Sequence, residues 1–78
     1  MSKNETFGER LFWLRFSKRW TQAQLAKRVG VSTSRISEYE RDLSEPRLFT
    51  AICLSDVLGV SLEYLTTGRT QKSDKPTK

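Results

Sequence analysis

The sequence predicts an all-α fold, a compact bundle of five short helices in one small domain. Three observations predict it. Apolar residues recur at three-and-four spacing, and no segment shows the alternation of a half-buried strand. Hydroxyl residues suited to capping a helix stand at Thr6, Thr21, Ser32 and Ser61, while Gly30, Gly59 and Gly68 stand just past the segments they would end. At 78 residues the chain has room for a single core, which idealised helix packing stabilises best.

The elements follow in order. Residues 1–6 read as a flexible lead-in, with Asn4 or Thr6 as the cap of a first helix running to about residue 19. Leu11, Leu14, Arg15 and Lys18 share one of its faces. Thr21 and Gln24 form a T-x-x-Q capping box for a second helix over 22–29. Gly30 takes the left-handed conformation that ends it, Val31 fills the turn, and Ser32 caps a third helix over 33–41. Ala26 lies midway along the second helix, where only a small side chain lets the third cross closely, and Ile36 points back toward Leu25 and Val29. Residues 42–45 make a polar turn, and Pro46 favours a helix start nearby. In the fourth helix Leu48, Ala51, Ile52, Ser55 and Leu58 are assigned to the core. A short fifth helix runs from the Ser61 cap to Gly68. The ordered domain therefore spans 7–68. Residues 69–78, RTQKSDKPTK, hold no apolar side chain and read as a disordered basic tail.

Composition narrows the function. The net charge is +5, but residues 69–78 carry four basic residues and one acidic, hence +3, which leaves the rest at +2. Placement says more than the total. Residues 48–67 carry only Asp56 and Glu63, whereas the basic residues of the domain lie between Arg10 and Arg47, the half that would face phosphate. Cys53 is the single cysteine and histidine is absent, which excludes an intrachain disulfide and argues against any metal site. No apolar run reaches transmembrane length and no signal peptide is visible, so a reducing cytoplasm is the expected setting. With no nucleophile–base pair and no phosphate-cradling glycine loop, the chain does not read as an enzyme, and no cofactor is implied.

Residues 21–40, TQAQLAKRVGVSTSRISEYE, carry the pattern Q-x-x-x-A-x-x-x-G-x-x-x-x-x-I, two helices joined at a glycine. This is a helix-turn-helix, which lays its second helix in a DNA major groove. The chain resembles the phage-repressor and Cro-like family over residues 7–68. Further matches are Leu14-Arg15, the Trp20-Thr21-Gln22 entry, Tyr39-Glu40-Arg41, Pro46, and Leu58-Gly59-Val60-Ser61-Leu62 followed by Tyr64-Leu65. The resemblance implies a lambda-repressor-like bundle that binds double-stranded DNA.

With Ile36 and Glu40 turned inward, Thr33, Ser34, Ser37 and Glu38 point outward and occupy the family's base-reading positions. Hydroxyls donate or accept, a threonine methyl meets a thymine methyl, and a carboxylate accepts from cytosine. Glu38 also reads as a solvated charge, and Thr33 and Ser34 as capping residues. Gln22, Arg35, Arg41 and Arg47 are assigned to phosphate, with a base contact left open for Arg35. Arg47 stands where the family often has a Ser or Thr cap. Lys27 and Arg28 read as a solvated face. The resemblance also implies that Arg15 bridges Glu40 and fixes the helix angle, and that the segment around Val60, Leu62 and Thr66 joins two copies in a homodimer.

The chain departs from the family at Phe12, Trp13 and Phe16, apolar where the first helix is usually polar, and at Phe49 and Cys53. The three aromatics read either as a partner or oligomer surface or as residues covered by the chain's own ends. Trp20 replaces the usual leucine and reads as core. The function this predicts is sequence-specific DNA binding as a homodimer on a palindromic operator, repressing transcription. The alternatives are an antitoxin-like protein-interaction module using the aromatic face, and a restriction-modification controller.

Overall fold

In the computed structural model, residues 6–69 are described. Five helices and no strand occur among them: α1 Phe7–Ser17, α2 Gln22–Val29, α3 Thr33–Glu40, α4 Leu48–Leu58 and α5 Leu62–Thr67. α2 crosses α3 directly, α1 packs on α3 and α5, and α4 closes the bundle against α2 and α5.

Local chemistry explains the boundaries. Thr6 caps α1 in a full capping box with Glu9, and Thr21 does the same for α2 with Gln24. Ser32 and Ser61 cap α3 and α5. Gly30, Gly59 and Gly68 take left-handed backbone at φ 87°, 75° and 83°. α1 ends at Ser17, two residues before the expected stop. Its end is a Schellman motif: Trp20 N–H donates to Arg15 O and Arg19 N–H to Phe16 O, with Arg19 left-handed at φ 61°. α3 stops at Glu40 in the same way, with Asp42 at φ 59° and Leu43 N–H donating to Glu38 O at 2.9 Å. Neither stop has the glycine that usually marks one.

Leu11, Leu25, Ile36, Leu54 and Leu65 are fully buried, with Ala26, Tyr39 and Leu58 beside them. Trp20 is partly buried against this core. The expected inner face of α4 is corrected. Leu48 and Ile52 are exposed, at 63% and 42%, and the buried stripe is Ala51, Leu54, Ser55 and Leu58. α4 is apolar nearly all round, so spacing alone does not choose its face.

Arg10 is also corrected. Its charge groups it with the phosphate-facing residues, but it is buried, donating from Nε to Leu65 O at 2.9 Å and from Nη2 to Thr66 O at 3.0 Å. A guanidinium there satisfies carbonyls at the open end of α5 and complements its dipole. Gly8 permits the packing of α1 on α3. A Cβ at that position would lie 2.5 Å from Glu40 O and 2.7 Å from Tyr39 O, and Gly8 N–H donates to Asp42 Oδ1 at 2.9 Å.

Candidate nucleic-acid interface

α3 is held by one side and presents the other. Ile36 and Tyr39 are buried, and Ser32 Oγ accepts from Arg35 N–H at 3.1 Å, which satisfies one orphan donor at the helix start. At helical spacing Ser34 and Glu38 lie opposite Ile36, flanked by Ser37 on one side and Arg35 on the other. Thr33, Ser34 and Arg35 are exposed; Ser37 and Glu38 are half-buried. Glu38 accepts from Ser44 Oγ at 3.4 Å, so the turn after α3 partly shelters it. The four residues assigned to base reading thus differ in reach. The first turn is open, whereas the carboxylate is partly engaged.

One carboxylate at the end of α3 is bonded to both α1 and α2. Glu40 Oε2 accepts from Arg15 Nε at 2.6 Å, and Glu40 Oε1 accepts from Arg15 Nη2 at 3.0 Å and from Gln22 Nε2 at 2.9 Å. Arg15 Nη1 donates to Trp20 O at 2.8 Å. The side chains of Arg15 and Glu40 are only 11% and 5% exposed. The fork-on-fork pairing is bidentate and charge-assisted. It ties α1, the first residue of α2 and the last residue of α3 at one point. Gln22, assigned to phosphate, commits an amide N–H here, which leaves its backbone N–H at the first position of α2 as the group suited to an anion.

Two of the assigned cations are brought together. Arg35 and Arg47 line one cleft of about 450 Å³, together with Val31, Ser32, Tyr39, Glu45 and Thr50. Arg47 is the N-cap of α4 and its side chain makes no capping bond, so the first N–H groups of α4 open with a positive charge beside them. Arg41 stands apart, exposed at the C-terminal end of α3. Lys27 and Arg28 are exposed, but Arg28 lies 4.3 Å over the Trp20 ring, a cation–π contact that spacing does not reveal.

The remaining assigned residues lie elsewhere. Val60 packs partly buried against the core, Leu62 is half-buried, and Thr66 is exposed. Phe12, Trp13 and Phe16 form an exposed cluster on α1. Among the described residues no group of three His, Cys, Asp or Glu side chains could hold a metal ion, and no helix is long and apolar enough to cross a membrane.

These features — two capped helices packed on each other with Ala26 buried, a left-handed Gly30 and an α3 with one face free — place the chain in the helix-turn-helix family, whose pattern matches residues 12–65. The chain is 40% identical over 62 residues to the SPbeta prophage-derived HTH-type transcriptional regulator YonR of Bacillus subtilis (strain 168), covering 80% of this chain and 57% of that protein. It is 36% identical over 75 residues to the HTH-type transcriptional regulator DicA of Escherichia coli (strain K12), covering 96% and 56%. The chain therefore spans a little over half the length of these two relatives. Its fold is similar to the P22 c2 repressor solved in complex with a synthetic operator, with TM-score 0.80, 39% identity, and coverage of 82% of this chain and 97% of that one.

Proposed function

We propose that this chain binds double-stranded DNA sequence-specifically through α3 and acts in the cytoplasm as a transcriptional repressor. The observation that carries the reading is the division of α3 into a side held by Ile36, Tyr39 and the bonded Glu40 and an opposite side with Ser34 and Glu38, while Thr33 is exposed in its open first turn. Such a helix enters the major groove with its N-terminal residues on base edges. Arg35 and Arg47 flank a cleft at the start of α4 and fix the frame on phosphate, with Arg41 and the start of α2 at Gln22 adding to it. The relatives support the reading, being named as transcriptional regulators, and the P22 c2 repressor was solved with operator DNA.

Repression follows if the bound site overlaps a promoter. A homodimer joined around Val60, Leu62 and Thr66 would present two copies of α3 to half-sites about one turn, roughly 34 Å, apart, and so would read an approximate palindrome. Nothing in this reading requires a cofactor, a metal or an enzymatic step.

Selection of bound sites from a random duplex pool tests it. An enriched palindrome is the expected result, and Ser34→Ala should change base preference at one or two positions, at about 1–3 kcal/mol for each base-edge interaction removed. Unchanged preference after replacement of Thr33, Ser34, Ser37 and Glu38 together would remove α3 from this role.

A further inference from the structure

We infer that the Tyr39 hydroxyl is a phosphate ligand, which completes, with Arg35 and Arg47, a seat for one phosphate of the DNA backbone between α3 and the start of α4. Tyr39 is 4% exposed and belongs to the core cluster. Its hydroxyl makes no hydrogen bond to any of the described residues. Buried hydroxyls are nearly always bonded, so this one calls for a partner from outside the fold. Side chains on a helix lean toward its N-terminus. The ring therefore runs from position 39 back along Arg35 toward Ser32, and all three residues line the same cleft of about 450 Å³. The hydroxyl, at the far end of the ring, is the polar group that Tyr39 brings to it.

The rest of the lining names the ligand. Arg35 and Arg47 are exposed cations set against one exposed carboxylate, Glu45, so the cleft is positive on balance. Arg47 also opens α4, whose first N–H groups no side chain caps. Thr50, half-buried in the first turn of α4, adds a second hydroxyl. Donors from α3 and α4 thus meet around one cavity, which suits an anion with several acceptor oxygens. The cleft reaches Ser32, the cap of α3, and so lies beside the open first turn that holds Thr33 and Ser34. With that turn on base edges, the anion beside it is a phosphate of the same duplex.

The hydroxyl and the arginines do different work. An exposed arginine on a flexible stem follows a phosphate that shifts, whereas Tyr39 is fixed by the core and accepts it in one place. An unbonded buried hydroxyl destabilises the free protein, and the bond it forms on DNA offsets that cost. The seat rests on the DNA-binding reading and adds to it a residue that charge does not point to.

Tyr39→Phe in the full chain tests the seat, since it removes the oxygen and keeps the ring. Its unfolding midpoint by circular dichroism should equal or exceed that of the wild type, because no bond within the fold is lost. Fluorescence anisotropy on a duplex selected with the wild type should show affinity lower by about tenfold, the scale of one hydrogen bond to a charged acceptor. The loss should be the same on every duplex, with the salt slope unchanged, because a hydroxyl displaces no counterion. Single methylphosphonates, each removing one phosphate charge, are then scanned along the site. At one phosphate of a half-site the substitution should cost the wild type more than Tyr39→Phe. Equal affinities for Tyr39→Phe and a wild type that binds would overturn the seat alone and leave the hydroxyl to cleft water. A midpoint lower by about 4 °C or more would reveal a bond inside the fold. Altered base preference, or methylphosphonate losses identical in the two proteins at every position, would mean an effect passed through α3. Each of these also overturns the seat. A wild type that selects no duplex ends the DNA-binding reading, and the seat with it.

Discussion

Replacing Glu40 by alanine should both loosen the fold and misaim α3. The carboxylate is 5% exposed and accepts three hydrogen bonds, two from Arg15 and one from Gln22. Without it, Arg15 stays buried as an unpaired charge with Trp20 O as its remaining hydrogen-bond acceptor. Removing one partner of such a pair costs about 3–5 kcal/mol. A domain of this size is stable by about 3–10 kcal/mol, so the loss is a large share. The midpoint of thermal unfolding should fall by at least about 12 °C. Joint replacement, Arg15→Met with Glu40→Leu, should recover most of the stability, because an apolar pair avoids the desolvation cost. It should not recover DNA affinity. A tilted α3 forfeits one or two base-edge hydrogen bonds at about 1–3 kcal/mol each, or roughly ten- to hundredfold and more. Circular dichroism melts and fluorescence anisotropy on a selected site measure the two effects separately. A loss below about 1 kcal/mol for Glu40→Ala would show the pair to be solvated. Wild-type DNA affinity in the stable double variant would refute the orienting role.

Arg47→Ala should weaken binding to every duplex alike and make the salt slope shallower by about one, as measured by anisotropy titrations across a salt series; relaxed specificity with an unchanged slope would make Arg47 a base reader instead. Gly8→Ala should destabilise by about 1–3 kcal/mol in a urea melt, opposite in sign to the gain usual for this change within a helix, because the new methyl meets the Glu40 and Tyr39 carbonyl oxygens. Val60→Glu should abolish cooperative filling of a full operator while half-site binding survives; loss of that dimer on Trp13→Glu instead would move its seam to α1.

The parts legible in the sequence are those fixed by local chemistry. α2 runs over 22–29 as the Thr21–Gln24 box and Gly30 predict, because both ends are set by residues within four positions. The start of α3 is legible for the same reason at Ser32. Long-range matters are not. Gly8 is an ordinary glycine in the sequence, and only the approach of the Glu40 carbonyl gives it meaning. Arg10 has a charge that points to phosphate, yet its partners Leu65 and Thr66 lie 55 and 56 residues away. α4 ends at Gly59 as expected but does not have the expected rotation, since Leu48, Phe49, Ile52 and Cys53 are as apolar as the residues it buries. At the candidate interface, the outward position of Ser34 follows from the helical period, whereas Thr33, three residues before Ile36, is exposed because it opens the helix, and the shelter given to Glu38 by Ser44 depends on how the next turn folds back.

The one-sided anchoring of α3 bears on how such a protein diversifies. Ile36, Tyr39 and Glu40 carry its attachment to the bundle, while Thr33 and Ser34 stand in solvent. Substitutions at an exposed helical site usually change stability by less than about 0.5 kcal/mol. Mutational drift at Thr33 and Ser34 is therefore nearly free in folding terms, and under the proposed base-reading role a lineage could explore new target sequences one base at a time without first acquiring a stabilising change. The same drift at Glu40 is closed, so paralogues arising from this chain should vary in what they recognise and keep the angle at which they recognise it.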